Sequence, residues 1–98
     1  MNLLTETENV LKKAGKTWED VVFISNWGEL IGTAEFKQAA NREYDNGYGG
    51  AEVSENLFIV GRDWWLERAE YDGAEWWEFK KKPAKPKTVA ESVNLFNR

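Results

Sequence analysis

At 98 residues the chain has room for one domain with a single modest core, and a 14% aromatic content that includes 6 tryptophans supplies that core with large pieces. It contains no cysteine and no histidine, which excludes a disulfide framework, thiolate metal sites and the commonest general base. The net charge of −4 is unevenly divided: residues 1–79 carry 7 basic and 16 acidic side chains, whereas residues 80–98 carry 6 and 1. A body at −9 repels a phosphate backbone, so no direct nucleic-acid contact is expected of it, and any such contact falls to the +5 tail.

In chain order, Leu3 to Ala14 reads as a helix, with Thr5 and Glu8 at capping-box spacing, Lys12 and Lys13 at the negative end and Gly15 as a stop. Thr17-Trp18-Glu19-Asp20 predicts one more capped turn whose tryptophan anchors the core. Val21 to Ser25 is a continuous apolar run and predicts a central strand covered on both faces. Asn26-Trp27-Gly28-Glu29 then turns the chain into a short strand at Leu30 and Ile31, leaving Trp27 at the tip as an exposed candidate contact. Thr33 is placed to cap a second helix, Ala34 to Tyr44, with Phe36, Ala39, Ala40, Glu43 and Tyr44 on one side.

Asp45 to Gly50 is a glycine-rich loop. It lacks the Gly-Lys-Ser/Thr of a phosphate loop and the spaced acids of a calcium loop, and its functional reading is an adaptable segment presenting Tyr48. Leu57 to Val60 predicts a strand apolar on both sides, hence interior, and Gly61-Arg62-Asp63 turns it into the most distinctive stretch of the chain.

That stretch, Asp63 to Phe79, reads D-W-W-L-E-R-A-E-Y-D-G-A-E-W-W-E-F and holds four tryptophans. Two β-prone runs flank Asp72-Gly73, a favoured pair for a two-residue type I′ turn, so Tyr71 faces Ala74, Glu67 faces Glu78 and Leu66 faces Phe79. Alternation then puts Trp64, Leu66, Arg68, Glu70, Glu75, Trp77 and Phe79 on one face, and Trp65, Glu67, Ala69, Tyr71, Ala74, Trp76 and Glu78 on the other. The first face is assigned to the core, its charges standing at the turn end within reach of solvent. A buried tryptophan removes up to about 250 Å² from water, roughly 6 kcal/mol gross at about 25 cal/mol per Å². Lys80 to Lys87, with Pro83 and Pro86, is a linker, and Thr88 with Glu91 opens a short helical or disordered tail.

The expected fold is therefore α+β: an N-terminal hairpin plus a three-stranded meander in an antiparallel sheet, two helices on one face, and a basic tail after an acidic domain at 1–82. The candidate binding residues are Trp65, Glu67, Tyr71, Asp72, Trp76 and Glu78 on the outer hairpin face, with Trp27 and Tyr48; the alternative is that a helix from Thr88 covers Trp65 and Trp76 as a second core layer and that Trp27 packs across its own hairpin. Opposed carboxylates between Trp65 and Trp76 also allow a glycan-binding or glycan-cleaving reading with Glu67 and Glu78 as acid and nucleophile. A 98-residue domain offers little depth to desolvate them, however, so no catalytic residue is assigned. No zinc pattern, dinucleotide fingerprint or nucleophile elbow is present, and neither cofactor nor metal is expected. No apolar run is of membrane-spanning length and the first residues lack a signal-peptide pattern, so a cytoplasmic protein away from the membrane is expected.

The phrases K-T-W-E-D-V-V-F-I (Lys16–Ile24) and Asp63–Phe79 resemble those of short hypothetical proteins encoded in phages and prophages of low-GC Gram-positive bacteria. The resemblance implies no catalytic residue. It implies a bacterial host cytosol and a small acidic protein that binds a host or defence protein with a basic surface, as anti-CRISPR proteins and other nucleic-acid mimics do. A structural or self-assembling virion component is a further alternative.

Overall fold

In the computed structural model, which describes residues 1–47 and 49–97, the first helix, α1 (Leu3–Lys13), starts at Leu3 as expected, but its cap is not the Thr5 of the capping-box spacing. Asn2 is the cap, its side-chain oxygen accepting from the Thr5 amide at 3.0 Å. That frees Glu6 and Thr7 to turn inward, where both are buried. A 3₁₀ turn at Trp18–Asp20 follows, closed by a reciprocal Thr17–Asp20 capping box. Trp18 packs at 5.9 Å against Phe36, the anchoring role its spacing predicts.

The sheet is built from β1 (Phe23–Asn26), β2 (Glu29–Ile31), β3 (Leu57–Val60), β4 (Trp64–Tyr71) and β5 (Ala74–Lys81), in the order β2-β1-β3-β4-β5. Every neighbouring pair is antiparallel, so the N-terminal hairpin and the C-terminal meander join edge to edge through β1 and β3. Asp72 (φ 51°) and Gly73 (φ 87°) both adopt the positive φ of a type I′ turn. The resulting register sets Tyr71 against Ala74, Glu67 against Glu78 and Leu66 against Phe79, as the two-residue loop requires.

Helix α2 (Thr33–Ala40) is shorter than expected. Gly32 rather than Thr33 is its N-cap residue, and Asn41 ends it, so Glu43 and Tyr44 lie beyond the helix. Glu43 instead forms a bridge to Asn2, which returns the chain to the start of α1.

Both helices pack on one face of the sheet. There Leu11, Phe36 and Ala40 meet Ile24, Leu57, Ile59, Trp64, Leu66 and Trp77 in one core. The reading of Val21–Ser25 and Leu57–Val60 as strands covered on both sides is corrected by this arrangement. Ile24 is 0% exposed, whereas its neighbour Phe23 is 40% exposed, because no helix among the described residues crosses the second face. Helices of 11 and 8 residues cover one side of five strands and no more. Residues 83–97 contain no helix or strand and are exposed.

Candidate functional site

The uncovered face gathers one alternate residue from each strand into transverse rows. Phe23, Val60, Trp65 and Lys80 form one row, and Leu30, Ser25, Phe58, Glu67 and Glu78 the next. Ala69 and Trp76 follow, and then Tyr71 and Ala74 at the turn end. The hairpin residues assigned to an outer surface are thus on it: Trp65 and Glu67 are half-buried, Trp76 is 37% exposed, and Tyr71 and Asp72 stand open to solvent.

What the sequence reading missed is the rest of the patch. Phe23, Leu30, Phe58 and Val60 extend it across β2, β1 and β3 and turn a hairpin surface into a broad apolar sheet face. The available signal was the helix count, since two short helices leave one face of five strands uncovered.

Polar groups on this face are tied in place. The Trp65 indole Nε1 donates to Glu67 Oε1 at 2.8 Å, which orients both side chains. Lys80 Nζ lies 3.1 Å from Glu78 Oε2, and this hydrogen bond raises the lysine above its ordinary pKa. Glu67 and Glu78 oppose each other across the hairpin. A cleft of about 410 Å³ lies elsewhere, on the helical side between Leu3, Asn26, Arg42, Tyr44, Ser54 and Leu57.

Trp27 is set apart from these aromatics. It is 70% exposed at the β1–β2 tip with φ 54°, in a turn whose next residue, Gly28, has φ 78°. Three strand spacings, about 14 Å, separate β1 from β5. Tyr48 falls outside the described residues.

On the opposite face Glu70 is exposed as expected, but two of the inward charges depart from the expectation that solvent would reach them. Arg68 and Glu75 have side chains only 3% and 2% exposed. Arg68 bridges Glu75 Oε1 at 2.9 Å and Glu6 Oε2 at 3.2 Å, and its guanidinium lies 4.8 Å from the Trp77 ring centre. Tyr44 donates to Glu6 and accepts from Arg68 at 3.3 Å. Burial, reinforced by the Glu6 carboxylate and opposed by Arg68, pushes the Tyr44 hydroxyl up to about 12.

Glu75 also accepts from the amides of Glu52 and Val53 at 2.6 and 3.0 Å, and Asn46 hydrogen-bonds both backbone groups of Glu75 at 2.8 Å. The cluster is a clamp that ties the glycine-rich loop to the hairpin. The alternation of β4 and β5 indicates that Arg68 and Glu75 face inward, and Glu6 of α1, Tyr44, Asn46 and the amides of Glu52 and Val53 supply partners that let them stay there.

Among the described residues no group of three or more acidic side chains is arranged to hold a metal ion, and no helix is long and apolar enough to cross a membrane. No family model, curated protein or solved structure matches this chain, so the reading of the site rests on its own geometry.

Proposed function

We propose that the chain is a non-catalytic macromolecular binding protein whose open sheet face docks on a protein partner with a basic surface. The observation that supports this most is the uncovered aromatic surface of Phe23, Phe58, Trp65 and Trp76 with Glu67 and Glu78 among them. Large aromatic side chains on a rigid strand lose little freedom on binding and serve as anchors, while carboxylates beside them select for basic surfaces. The charge of the body favours the same class of partner. Glu6, Arg68 and Glu75 bury one net negative charge, which leaves −8 of the −9 of residues 1–79 to face outward. Such a field draws in basic proteins and competes with nucleic acid for their channels.

The resemblance to short phage and prophage proteins fits an accessory protein that inhibits a host or defence enzyme in the bacterial cytosol, as a nucleic-acid mimic does. The test is capture of partners from a bacterial host lysate, followed by titration of the purified partner. Changing Glu67 and Glu78 together to Lys should weaken binding at least about tenfold without unfolding the domain, because both side chains are surface groups with no role in the core. The single change Glu67→Lys should show the same direction. Unchanged affinity of the doubly substituted protein would refute the assignment of this face.

A further inference from the structure

The sheet has two edges of unequal character. β2 is 3 residues long, whereas β5 runs for 8 residues with no strand beyond it among the described residues. A long edge strand presents a row of amides and carbonyls that another strand can use. In a hairpin closed by a two-residue turn, Tyr71 and Ala74 exchange both backbone hydrogen bonds, and every second residue follows suit. Ala74, Trp76, Glu78 and Lys80 therefore bond inward to β4, and Glu75, Trp77, Phe79 and Lys81 point their backbone groups out of the sheet. Asn46 confirms that alternation independently, because its side-chain amide reaches the N–H and C=O of Glu75 from outside, at 2.8 Å each. Among the described residues no backbone or side-chain group meets the outward amides of Trp77, Phe79 or Lys81.

Two stops delimit the free edge. Glu75 is already occupied by Asn46, and Pro83 has no N–H to give. The open stretch between them is Trp76 to Lys82, and its centre is Phe79.

We infer that this edge pairs antiparallel with the same edge of a second copy, about a two-fold axis through Phe79. The charge pattern selects both the partner and the register. Centred on Phe79, Glu78 of each chain faces Lys80 of the other, Trp76 and Trp77 face Lys82 and Lys81, and Phe79 faces itself. Opposed unlike charges and lysine against indole are favourable cross-strand pairs. Moving the centre to Glu78 sets two glutamates face to face and needs the occupied Glu75, and moving it to Lys80 sets two lysines face to face and needs Pro83. Centring on Trp77 or Lys81 again calls on Glu75 or Pro83 for backbone bonds. Only the Phe79 register satisfies the outward groups and the charges together.

Lysines on an edge normally discourage association. Here Lys80 meets the Glu78 carboxylate and Lys82 the partly exposed Trp76 ring when the incoming strand is the chain's own, while Lys81 lies opposite the buried Trp77. Phe79, 36% exposed and stacked at 5.7 Å on Trp64, would gain cover at the axis. The product is a ten-stranded sheet joined by about six backbone hydrogen bonds, with all four helices on one side and both open faces on the other. This pairing does not depend on the reading of the open face as a partner site.

The test is the mass in solution between about 1 μM and about 1 mM, the range of weak to moderate self-association. The 11.3 kDa chain should rise to twice that mass as concentration increases. Glu78→Lys alone should hold it at the monomer mass, and Glu78→Lys combined with Lys80→Glu should restore the doubling, because the two positions meet reciprocally. The native chain contains no cysteine, so Phe79→Cys supplies a single thiol. Opposed Cα atoms about 5.5 Å apart fall within disulfide reach, so this variant should oxidise to a covalent dimer at least tenfold faster than the exposed control Thr33→Cys. A chain that keeps the monomer mass throughout would overturn the inference. So would a dimer indifferent to the charge reversals, or one in which Phe79→Cys links no faster than the control.

Discussion

Arg68 shows how one side chain ties distant parts of the chain together. Its guanidinium joins α1 through Glu6, the hairpin through Glu75 and the segment after α2 through Tyr44. Its Nε is buried without a partner among the described residues. A buried donor left unmatched costs about 1–3 kcal/mol, so the cluster is not the most stable way to fill this space. What it does is join three segments that are far apart in sequence. Arg68→Met removes the one cation between two buried carboxylates and should lower stability by about 3–5 kcal/mol, measured by urea unfolding monitored through tryptophan fluorescence. A loss below about 1 kcal/mol would show that Glu6 and Glu75 do not depend on Arg68 for their place in the interior.

Among the elements, the two hairpins solve the same turn with different residues. The β4–β5 hairpin uses Asp72-Gly73, a pair suited to positive φ at both positions, and the β1–β2 hairpin uses Trp27-Gly28. A bulky aromatic at φ 54° is strained, and at 70% exposure it recovers little by packing. Replacing Trp27 by Asn should therefore raise stability by about 1 kcal/mol, seen as a thermal midpoint about 4–8 °C higher. A lower midpoint would mean that the indole packs across its hairpin. The strands themselves were legible, because alternation and the Asp-Gly turn settle the faces and pairing of β4 and β5. The span of α1 was legible too, but its capping residue and the end of α2 were not. α1 takes its cap from Asn2, and α2 stops at Ala40, where Glu43 bridges back to Asn2 in a contact between segments far apart in sequence.

For the molecule as a whole, organisation follows from an imbalance between sheet and helix. Five strands present two faces, and two short helices cover one. The second face keeps its aromatics half-exposed, and the tail does not cover it, since residues 83–97 are exposed throughout. Removing residues 83–98 should leave the unfolding free energy within about 0.5 kcal/mol of the intact chain, since surface segments without packed contacts contribute little. The same truncation deletes three basic and one acidic residue, so the net charge falls from −4 to −6. A chemical denaturation curve that shifts beyond that limit would reveal a docking of the tail on the body.

By itself the sequence determined the α+β class, the antiparallel hairpins, the register at Asp72-Gly73 and the side of the hairpin on which Trp65, Glu67, Trp76 and Glu78 stand. These follow from rules that act within a few residues: positive φ in a tight turn and a side-chain period of two. Only the tertiary structure decided that β1 and β3 expose their second face, that Arg68 and Glu75 are interior, and that β5 is an edge with Asn46 closing one end of it. Each of these depends on which segments remote in sequence arrive as neighbours, and burial of a strand face or a charge is a property of those neighbours rather than of the residue that carries it.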